Sequence, residues 1–173
     1  MKKKFNLFII TIFSIFCFII FYKGLNNSNI YSPSINSNKK VPLFESKKFF
    51  DNSLVKSDII FEKNKYYILN IWSSWCIPCK TEHPFLMNLS KYKSLNIVGL
   101  NYKDNIKNAK NFIEKMGNPY TEILLDEDGT IAIEWGAYGV PETFVIDKNN
   151  KIIKKYIGPL DEESLKEIKL LLR

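Results

Sequence analysis

The chain has 173 residues, a length that suits one domain and is too short for two. Its formal net charge is +7, but the lysines at positions 2–4 and 23 contribute more than half of it. The remainder, with 21 basic and 18 acidic side chains, is too evenly balanced to favour nucleic acid as a partner. Three cysteines are too few for a disulfide scaffold. A Cys-x-x-Cys motif in such a chain is therefore expected to be catalytic, redox-sensing or metal-binding.

Residues 1–23 predict a membrane anchor. Residues 5–22 are an uninterrupted uncharged run, which as a helix is about 27 Å long and matches a hydrocarbon core of about 30 Å. The lysines before it favour a cytoplasmic N-terminus and export of the following residues. The alternative, a cleaved signal peptide, usually has a shorter apolar region and a small-residue cleavage site, and no such site follows Tyr22. We expect Cys17, inside the run, to contact lipid or pack rather than react.

Residues 24–40 are rich in Asn and Ser and have little apolar periodicity, which predicts a flexible linker. From Val41 to the C-terminus, strand and helix patterns alternate. In chain order we predict a buried strand over 66–72, a helix from 78 to about 92, a strand over 96–101, a helix over 106–116, a short strand over 121–125, a hairpin of 143–146 with 151–157, and a C-terminal helix. This order predicts an α/β, thioredoxin-like fold, a central mixed sheet flanked by helices, following an N-terminal transmembrane helix.

The motif Cys76–Ile77–Pro78–Cys79 lies where the buried strand runs into a helix. Unpaired N–H groups and the positive end of the helix dipole meet at that point, and both stabilise a thiolate. The spacing puts Cys79 one turn further along the helix and more shielded. We therefore expect Cys76 to attack a disulfide and Cys79 to resolve the mixed disulfide.

Metal-binding and structural roles are the alternatives for these cysteines. A structural zinc site needs four ligands, and the domain offers only His83 besides the two cysteines. A copper site could use Cys76, Cys79 and His83, although His83 before Pro84 is more simply interpreted as a helix-surface or packing residue. A purely structural disulfide would close too small a loop to stabilise much.

Four segments resemble one known family. Residues 72–84, Trp-Ser-Ser-Trp-Cys-Ile-Pro-Cys-Lys-Thr-Glu-His-Pro, resemble the active-site segment of the CcmG/DsbE family, periplasmic thioredoxin-like proteins of cytochrome c maturation. Residues 98–105 look like that family's strand and loop, and residues 117–120 like its next turn. Residues 134–144, with Gly-Val-Pro-Glu-Thr, are similar to its most diagnostic stretch. The resemblance extends from about Val41 to the C-terminus.

The resemblance implies a peptide-binding surface beside the cysteines. The Val140–Pro141 bond would be cis and would face the cysteines, as in thioredoxin folds generally. A peptide substrate could pair with the backbone near Val140 by strand addition. Trp75 would shield the thiolate. The implied substrate-binding residues are therefore Trp75, Val140 and Pro141.

The resemblance also raises the question of which group accepts the Cys79 proton. Thioredoxin has a buried Asp six residues before its first active-site cysteine, and the corresponding residue here is Asn70. The candidates that the family pattern supports are Glu82, three residues beyond Cys79, and Glu142, directly after Pro141. For either residue the alternative is a solvated surface glutamate.

The implied function is reduction of a disulfide in the haem-binding Cys-x-x-Cys-His segment of apocytochrome c, or in a carrier of it. The implied electron donor is a membrane thiol–disulfide transporter, and the redox group is the Cys76–Cys79 pair, with no other cofactor and no metal. The domain would lie in the periplasm, tethered to the bacterial inner membrane by a single span. Three alternatives remain open: a disulfide oxidant or isomerase, a copper or haem chaperone using the same thiols, and a non-catalytic scaffold.

Overall fold

In its described part, the N-terminal unit is a single long helix. The computed structural model describes residues 2–26 and 39–172, which divide into the units Met1–Ser34 and Ile35–Arg173. Helix α1 spans Lys2–Asn26, and its segment Lys4–Gly24 is long and apolar enough to cross a membrane. The helix extends three residues beyond the predicted anchor boundary. Most of the predicted linker lies outside the described residues.

The second unit is built on one seven-stranded mixed sheet. Its elements are β1 Glu45–Lys48, β2 Leu54–Lys56, α2 Ser57–Ile60, β3 Tyr66–Trp72, α3 Ile77–Leu89, β4 Leu95–Tyr102, α4 Ile106–Met116, β5 Glu122–Asp126, α5 Thr130–Glu134, β6 Glu142–Ile146, β7 Ile152–Ile157 and α6 Glu162–Leu171. The strand order is β2-β1-β5-β4-β3-β6-β7. Strand β4 runs parallel to β3 and β5, and the other neighbouring pairs are antiparallel. The predicted thioredoxin-like arrangement is confirmed.

Strand β3 lies inside the sheet because almost all of its side chains are apolar. Successive side chains of a strand point to opposite faces, so each face of β3 contributes to a separate core. Ile68 and Trp72 pack with α3, α4 and α6, whereas Leu69 and Ile71 pack with residues of α5 and β6. The uninterrupted apolar run is what a strand buried on both faces requires.

The sequence did not indicate β1, β2, α2 or α5. These elements are only three to five residues long, and β1 is the polar segment Glu-Ser-Lys-Lys with one buried side chain, Ser46. Helix α5 begins where the buried carboxylate of Asp126 accepts the N–H groups of Ile131 and Ala132. Backbone pairing with the domain also begins one residue before the predicted domain boundary at 41, because Lys40 forms an isolated antiparallel β-bridge with Lys151.

Gly99, at the centre of β4, leaves room for two stacked rings that lie under the sheet. The rings of Trp72 and Tyr120 are nearly parallel, with centroids 5.7 Å apart. A Cβ atom at position 99 would lie 2.9 Å from Trp72 Nε1 and 3.0 Å from the Tyr120 ring. Both rings are buried, so neither can move away without disturbing the core.

We therefore predict that Gly99→Ala lowers the free energy of unfolding by about 1–3 kcal/mol, as overpacking of a filled core does. Urea unfolding of the full chain in a nonionic detergent measures the change. The matched control is Gly139→Ala, because a Cβ there meets nothing within 4 Å. The control should stay within about 0.5 kcal/mol of the parent chain. Equal losses in both variants would contradict the packing explanation.

Candidate active site

The two cysteines form a disulfide at the start of α3. Cys76 is the N-cap residue of the helix, and its Sγ accepts the Cys79 N–H at 3.1 Å. Pro78 lies in the first turn, where its missing N–H leaves no hydrogen bond unmade. Cys76 is 3% exposed and Cys79 2%, so the expected difference in shielding is not seen in this oxidised form. The neighbouring Ile77 is 75% exposed, which makes the rim of the site apolar.

The loop before Cys76 is fixed by the loop that follows β4. Asp104 accepts both the N–H and the hydroxyl group of Ser74, the latter at 2.7 Å. The Trp75 indole N–H donates to the Lys103 carbonyl at 3.1 Å, while the side chain stays 57% exposed. Asp104 is a supporting residue that sequence reasoning did not single out. The only feature of the sequence that could have indicated it is its position within residues 98–105, which resemble the strand and loop of the CcmG/DsbE family.

Glu82 is a fully buried carboxylate on the same helix. Its Oε1 accepts an N–H of the Asn70 side chain at 2.8 Å, and its Oε2 accepts the backbone N–H of Leu160 at 2.9 Å. Burial raises the pKa of Glu82 to about 7, and the hydrogen bonds from Leu160 and Asn70 oppose that rise. Residues three apart on a helix are neighbours on one face, so Glu82 lies one turn beyond Cys79. The surface-glutamate alternative is wrong for this residue.

Asn70 orients Glu82 through a network of buried side chains. The Tyr120 hydroxyl donates to Asn70 Oδ1 at 2.9 Å, which directs the Asn70 NH2 group toward Glu82 and toward Thr143 Oγ1, 3.0 Å away. Tyr120 is itself buried, and burial raises its pKa well above the usual value. Tyr120 therefore acts as a neutral donor. The amide is satisfied on both ends, as a buried polar group must be.

Glu142 is also buried, but its surroundings differ from those of Glu82. Its Oε1 accepts the backbone N–H groups of Tyr138 and Gly139, and its Oε2 lies 2.7 Å from Lys155 Nζ. Both side chains of this ion pair are less than 5% exposed. Lys155 also donates to the Gly136 carbonyl at 2.8 Å. The surface alternative is wrong here too, because one carboxylate oxygen binds the loop before Pro141 and the other binds Lys155 on β7.

The predicted peptide-binding segment lies next to this ion pair. The Val140–Pro141 bond is cis, as the family resemblance implied. Val140 is half-buried and packs against the core cluster that contains Cys76 and Cys79. The Pro141 carbonyl accepts the Gly158 N–H at 3.0 Å. The substrate-binding role of Trp75, Val140 and Pro141 remains a prediction.

His83 is a packing residue, one of the three interpretations offered by the sequence, and it is not on the helix surface. Its Nε2 hydrogen-bonds with the Gly117 carbonyl at 3.0 Å, and its ring meets Phe112 edge-on at 5.1 Å. Burial lowers its pKa, which favours the neutral imidazole. Within residues 2–26 and 39–172, no cluster of three or more His, Cys, Asp or Glu side chains could hold a metal ion.

A disulfide at a helix N-terminus, a cis-proline loop and a thioredoxin-like sheet together define a thioredoxin-like dithiol–disulfide protein. Residues 36–171 match the Redoxin family model. The thiol:disulfide interchange protein DsbE of Pseudomonas fluorescens biotype C is 37% identical over 145 residues, 83% of this chain and 79% of that protein. The chain thus belongs to the redoxin family, among the DsbE-type thiol:disulfide interchange proteins.

Two further comparisons show how much of the chain is similar to other thiol:disulfide interchange proteins, one in sequence and one in structure. The thiol:disulfide interchange protein CycY of Rhizobium leguminosarum bv. viciae is 46% identical over 105 residues, 61% of this chain. The matched segment spans only 56% of the length of CycY. The crystal structure of a thioredoxin-family thiol:disulfide interchange protein from Chlorobium tepidum superposes with a TM-score of 0.65 at 23% identity, covering 79% of this chain and 97% of the other. That structure supports the fold.

The raised pKa of Glu82 predicts a pH-dependent stability. Between pH 4.5 and about 7 the folded protein keeps a proton that the unfolded chain has released, so the free energy of unfolding falls as the pH rises. The decline amounts to roughly 3 kcal/mol by pH 8. In Glu82→Gln the Glu82 contribution should disappear, because glutamine does not ionise, so the decline should be smaller than in the parent chain by that amount. Urea unfolding of the oxidised chain across this pH range measures it.

Asn70→Ala supplies the second arm of this experiment. Removing the amide donor leaves the ionised Glu82 less stabilised and raises its folded-state pKa further, so the decline should extend to higher pH than in the parent chain. Asp126, whose pKa burial also raises, is present in all three proteins and therefore cancels from the comparison. An undiminished decline in Glu82→Gln would assign it to other groups.

The buried ion pair predicts a strong asymmetry between single and double variants. Lys155→Met leaves the Glu142 carboxylate buried without its cation and should lower the free energy of unfolding by about 3–5 kcal/mol. The double variant Lys155→Met with Glu142→Gln should lose less, because no uncompensated charge remains. Urea unfolding of the parent chain, the two single variants Lys155→Met and Glu142→Gln, and the double variant gives the coupling energy between the two side chains. Additive losses would show that the two side chains act independently.

Proposed function

We propose that the chain is a thiol:disulfide oxidoreductase that, in its dithiol form, reduces disulfides in partner proteins. The observation that carries the proposal is the Cys76–Cys79 disulfide at the start of α3, with the buried Glu82 carboxylate one turn beyond Cys79. The family membership supports the class of reaction. The direction of exchange and the partner rest on the resemblance to cytochrome c maturation proteins.

The first step forms a mixed disulfide. The Cys76 thiolate, stabilised by the N–H groups at the helix start, attacks one sulfur of the partner's disulfide. A bond forms between Cys76 Sγ and that sulfur, the partner's S–S bond breaks, and the released sulfur takes up a proton. Cys76 is suited to this step because it precedes the helix as its N-cap, with the exposed Ile77 and Trp75 beside it.

The second step releases the partner. Cys79 loses its proton and attacks Cys76 Sγ, and the partner's second sulfur leaves and is protonated. The partner has then gained two electrons from the chain and two protons, one released by Cys79 and one taken from solvent, and the chain is left with the Cys76–Cys79 disulfide described above. The cycle needs an electron donor that restores the dithiol.

Glu82 is the proposed acceptor of the Cys79 proton, directly or through one water molecule. A pKa of about 7 lets a carboxylate accept and return a proton near neutral pH. Glu142, the other candidate, is better suited to a positioning role. Its oxygens bind Lys155 and two backbone N–H groups of the 138–139 segment, so it fixes the loop that carries Val140 and Pro141.

The proposed partner is the haem-binding Cys-x-x-Cys-His segment of apocytochrome c or a carrier protein of that pathway. The proposed location is the bacterial inner membrane, with α1 as the anchor and the thioredoxin-like domain in the periplasm, supplied with electrons by a membrane thiol–disulfide protein. The length and apolar composition of Lys4–Gly24 support the anchor.

Two alternatives use the same thiols. A disulfide oxidant or isomerase would have a reduction potential near the roughly −120 mV of DsbA rather than the roughly −270 mV of thioredoxin. Measuring the potential against glutathione distinguishes these directions, and we expect a value near thioredoxin. A copper or haem chaperone would need ligands besides the cysteines, and His83 already bonds the Gly117 carbonyl from inside the core.

The assigned order of attack predicts a trapping experiment. Cys79→Ser should form a stable mixed disulfide with a peptide containing an oxidised Cys-x-x-Cys-His loop, because the resolving thiol is missing. Cys76→Ser should form none, because the nucleophile at the N-cap of α3 is missing. Mass spectrometry of the full chain in nonionic detergent detects the adduct. Trapping by Cys76→Ser alone would reverse the two roles, and reaction of neither variant would contradict the proposed function.

A further inference from the structure

A groove beside the disulfide separates the start of α3 from α4. Its cavity volume is about 370 Å³, and it is bordered by the Ser74–Trp75 segment directly before Cys76. Its charged, amide and aromatic lining residues are Trp75, Lys80, Asn108, Asn111, Phe112 and Lys115. The groove is distinct from the loop around Pro141, which contributes none of its lining.

The groove is positively charged and contains no acid. Lys80 reaches it from α3 and Lys115 from α4, and no Asp or Glu side chain lines it. Neither lysine has an ion-pair partner in the part of the chain that the structure describes, whereas Lys154 and Lys155 each have a glutamate. Glu114, the only acid of α4, lines the neighbouring cavity instead. The charge of the groove is therefore left for a ligand.

The rest of the lining suits a peptide. Trp75 is 57% exposed and Met116 39%, so they offer apolar surface to the stem of a bound side chain. The amides of Asn108 and Asn111 can donate to carboxylate oxygens or to backbone carbonyl groups. Carboxylate side chains on a peptide backbone match this combination of charge, amide and apolar surface.

The distance to the disulfide fits a ligand that is joined to the reacting partner. Lys80 lies four residues beyond Cys76, about 6 Å along the helix axis. An extended chain advances about 3.3–3.6 Å per residue, so residues two to four positions from the partner's cysteine reach the groove when that cysteine is bonded to Cys76. Residues further away in the partner's sequence need not contact it.

We propose that the groove of Lys80 and Lys115 binds acidic residues that flank the disulfide of the partner protein. The proposal rests on the proposed function, and it adds a preference among partners. Exposed ion pairs add little binding free energy and are screened by salt. We therefore expect the groove to act mainly on the rate at which acidic partners encounter the site and on their orientation there.

The test uses three disulfide probes with the reduced full chain in nonionic detergent. The first is a Cys-x-x-Cys-His loop peptide with glutamates two to four residues outside the cysteines. The second has glutamines at those positions. The third is the uncharged 2-hydroxyethyl disulfide, which reports reactivity without a peptide. The measured quantity is the ratio of the exchange rates of the acidic and glutamine peptides, so a change in the reactivity of Cys76 itself cancels.

In the parent chain the ratio should be about fivefold at an ionic strength of about 20 mM, and should fall toward one with added salt. The double variant Lys80→Gln with Lys115→Gln should bring the ratio close to one at every salt concentration. The matched control is Lys91→Gln with Lys93→Gln, which removes the same charge beyond the opposite end of α3. Its ratio should equal that of the parent chain.

A ratio near one in the parent chain, or an unchanged ratio in the Lys80 and Lys115 variant, would overturn the proposal. Failure of the parent chain to reduce any of the three probes would instead contradict the proposed function.

Discussion

One buried carboxylate, that of Glu82 on α3, links the helix to the sheet and to the segment before α6. Taking a charge out of water costs several kcal/mol, and only hydrogen bonds offset that cost where no cation is near. Here the donors come from distant parts of the chain, Asn70 on β3 and the backbone of Leu160 before α6. The helix that begins with the disulfide is therefore fully supported only when the C-terminal segment is folded onto it.

The same network explains why an amide is suited to position 70. Two carboxylates in one buried pocket would share a proton, and their titrations would be coupled. Asn70 avoids this, because it donates to Glu82 without ionising, and the hydroxyl of Tyr120 fixes its orientation. The pocket then contains one carboxylate with a pKa of about 7, matched to proton transfer near neutral pH. Gly99 contributes to the same network, because the absence of a side chain there lets the Tyr120 ring lie close to the sheet.

The sequence predicted the features that local pattern determines. The bounds of β3 and α4 agree with the predicted ones, because one is a continuous apolar run and the other lies between Asn105 and Gly117, which cap its ends. The position of the cysteine pair at the start of a helix was predicted from the apolar strand that directly precedes it. Glu82 could be named but not known to be buried, since its partners lie 12 and 78 residues away. Asp104 and Lys155 were missed for the same reason, because each acts through contacts formed only in the folded domain.

The two glutamates that the sequence could not distinguish are separated by their electrostatic surroundings. Glu82 receives only neutral donors, so burial dominates and raises its pKa. Glu142 receives two backbone N–H groups and the ammonium of Lys155, 2.7 Å away, so a full positive charge compensates its burial. Thiol–disulfide exchange needs one group that changes its charge beside the resolving cysteine and a peptide-binding loop that keeps its position. The lysine beside Glu142 suits that carboxylate to the proposed positioning role, and the lack of a cation among the hydrogen-bond partners of Glu82 suits it to the proposed proton transfer.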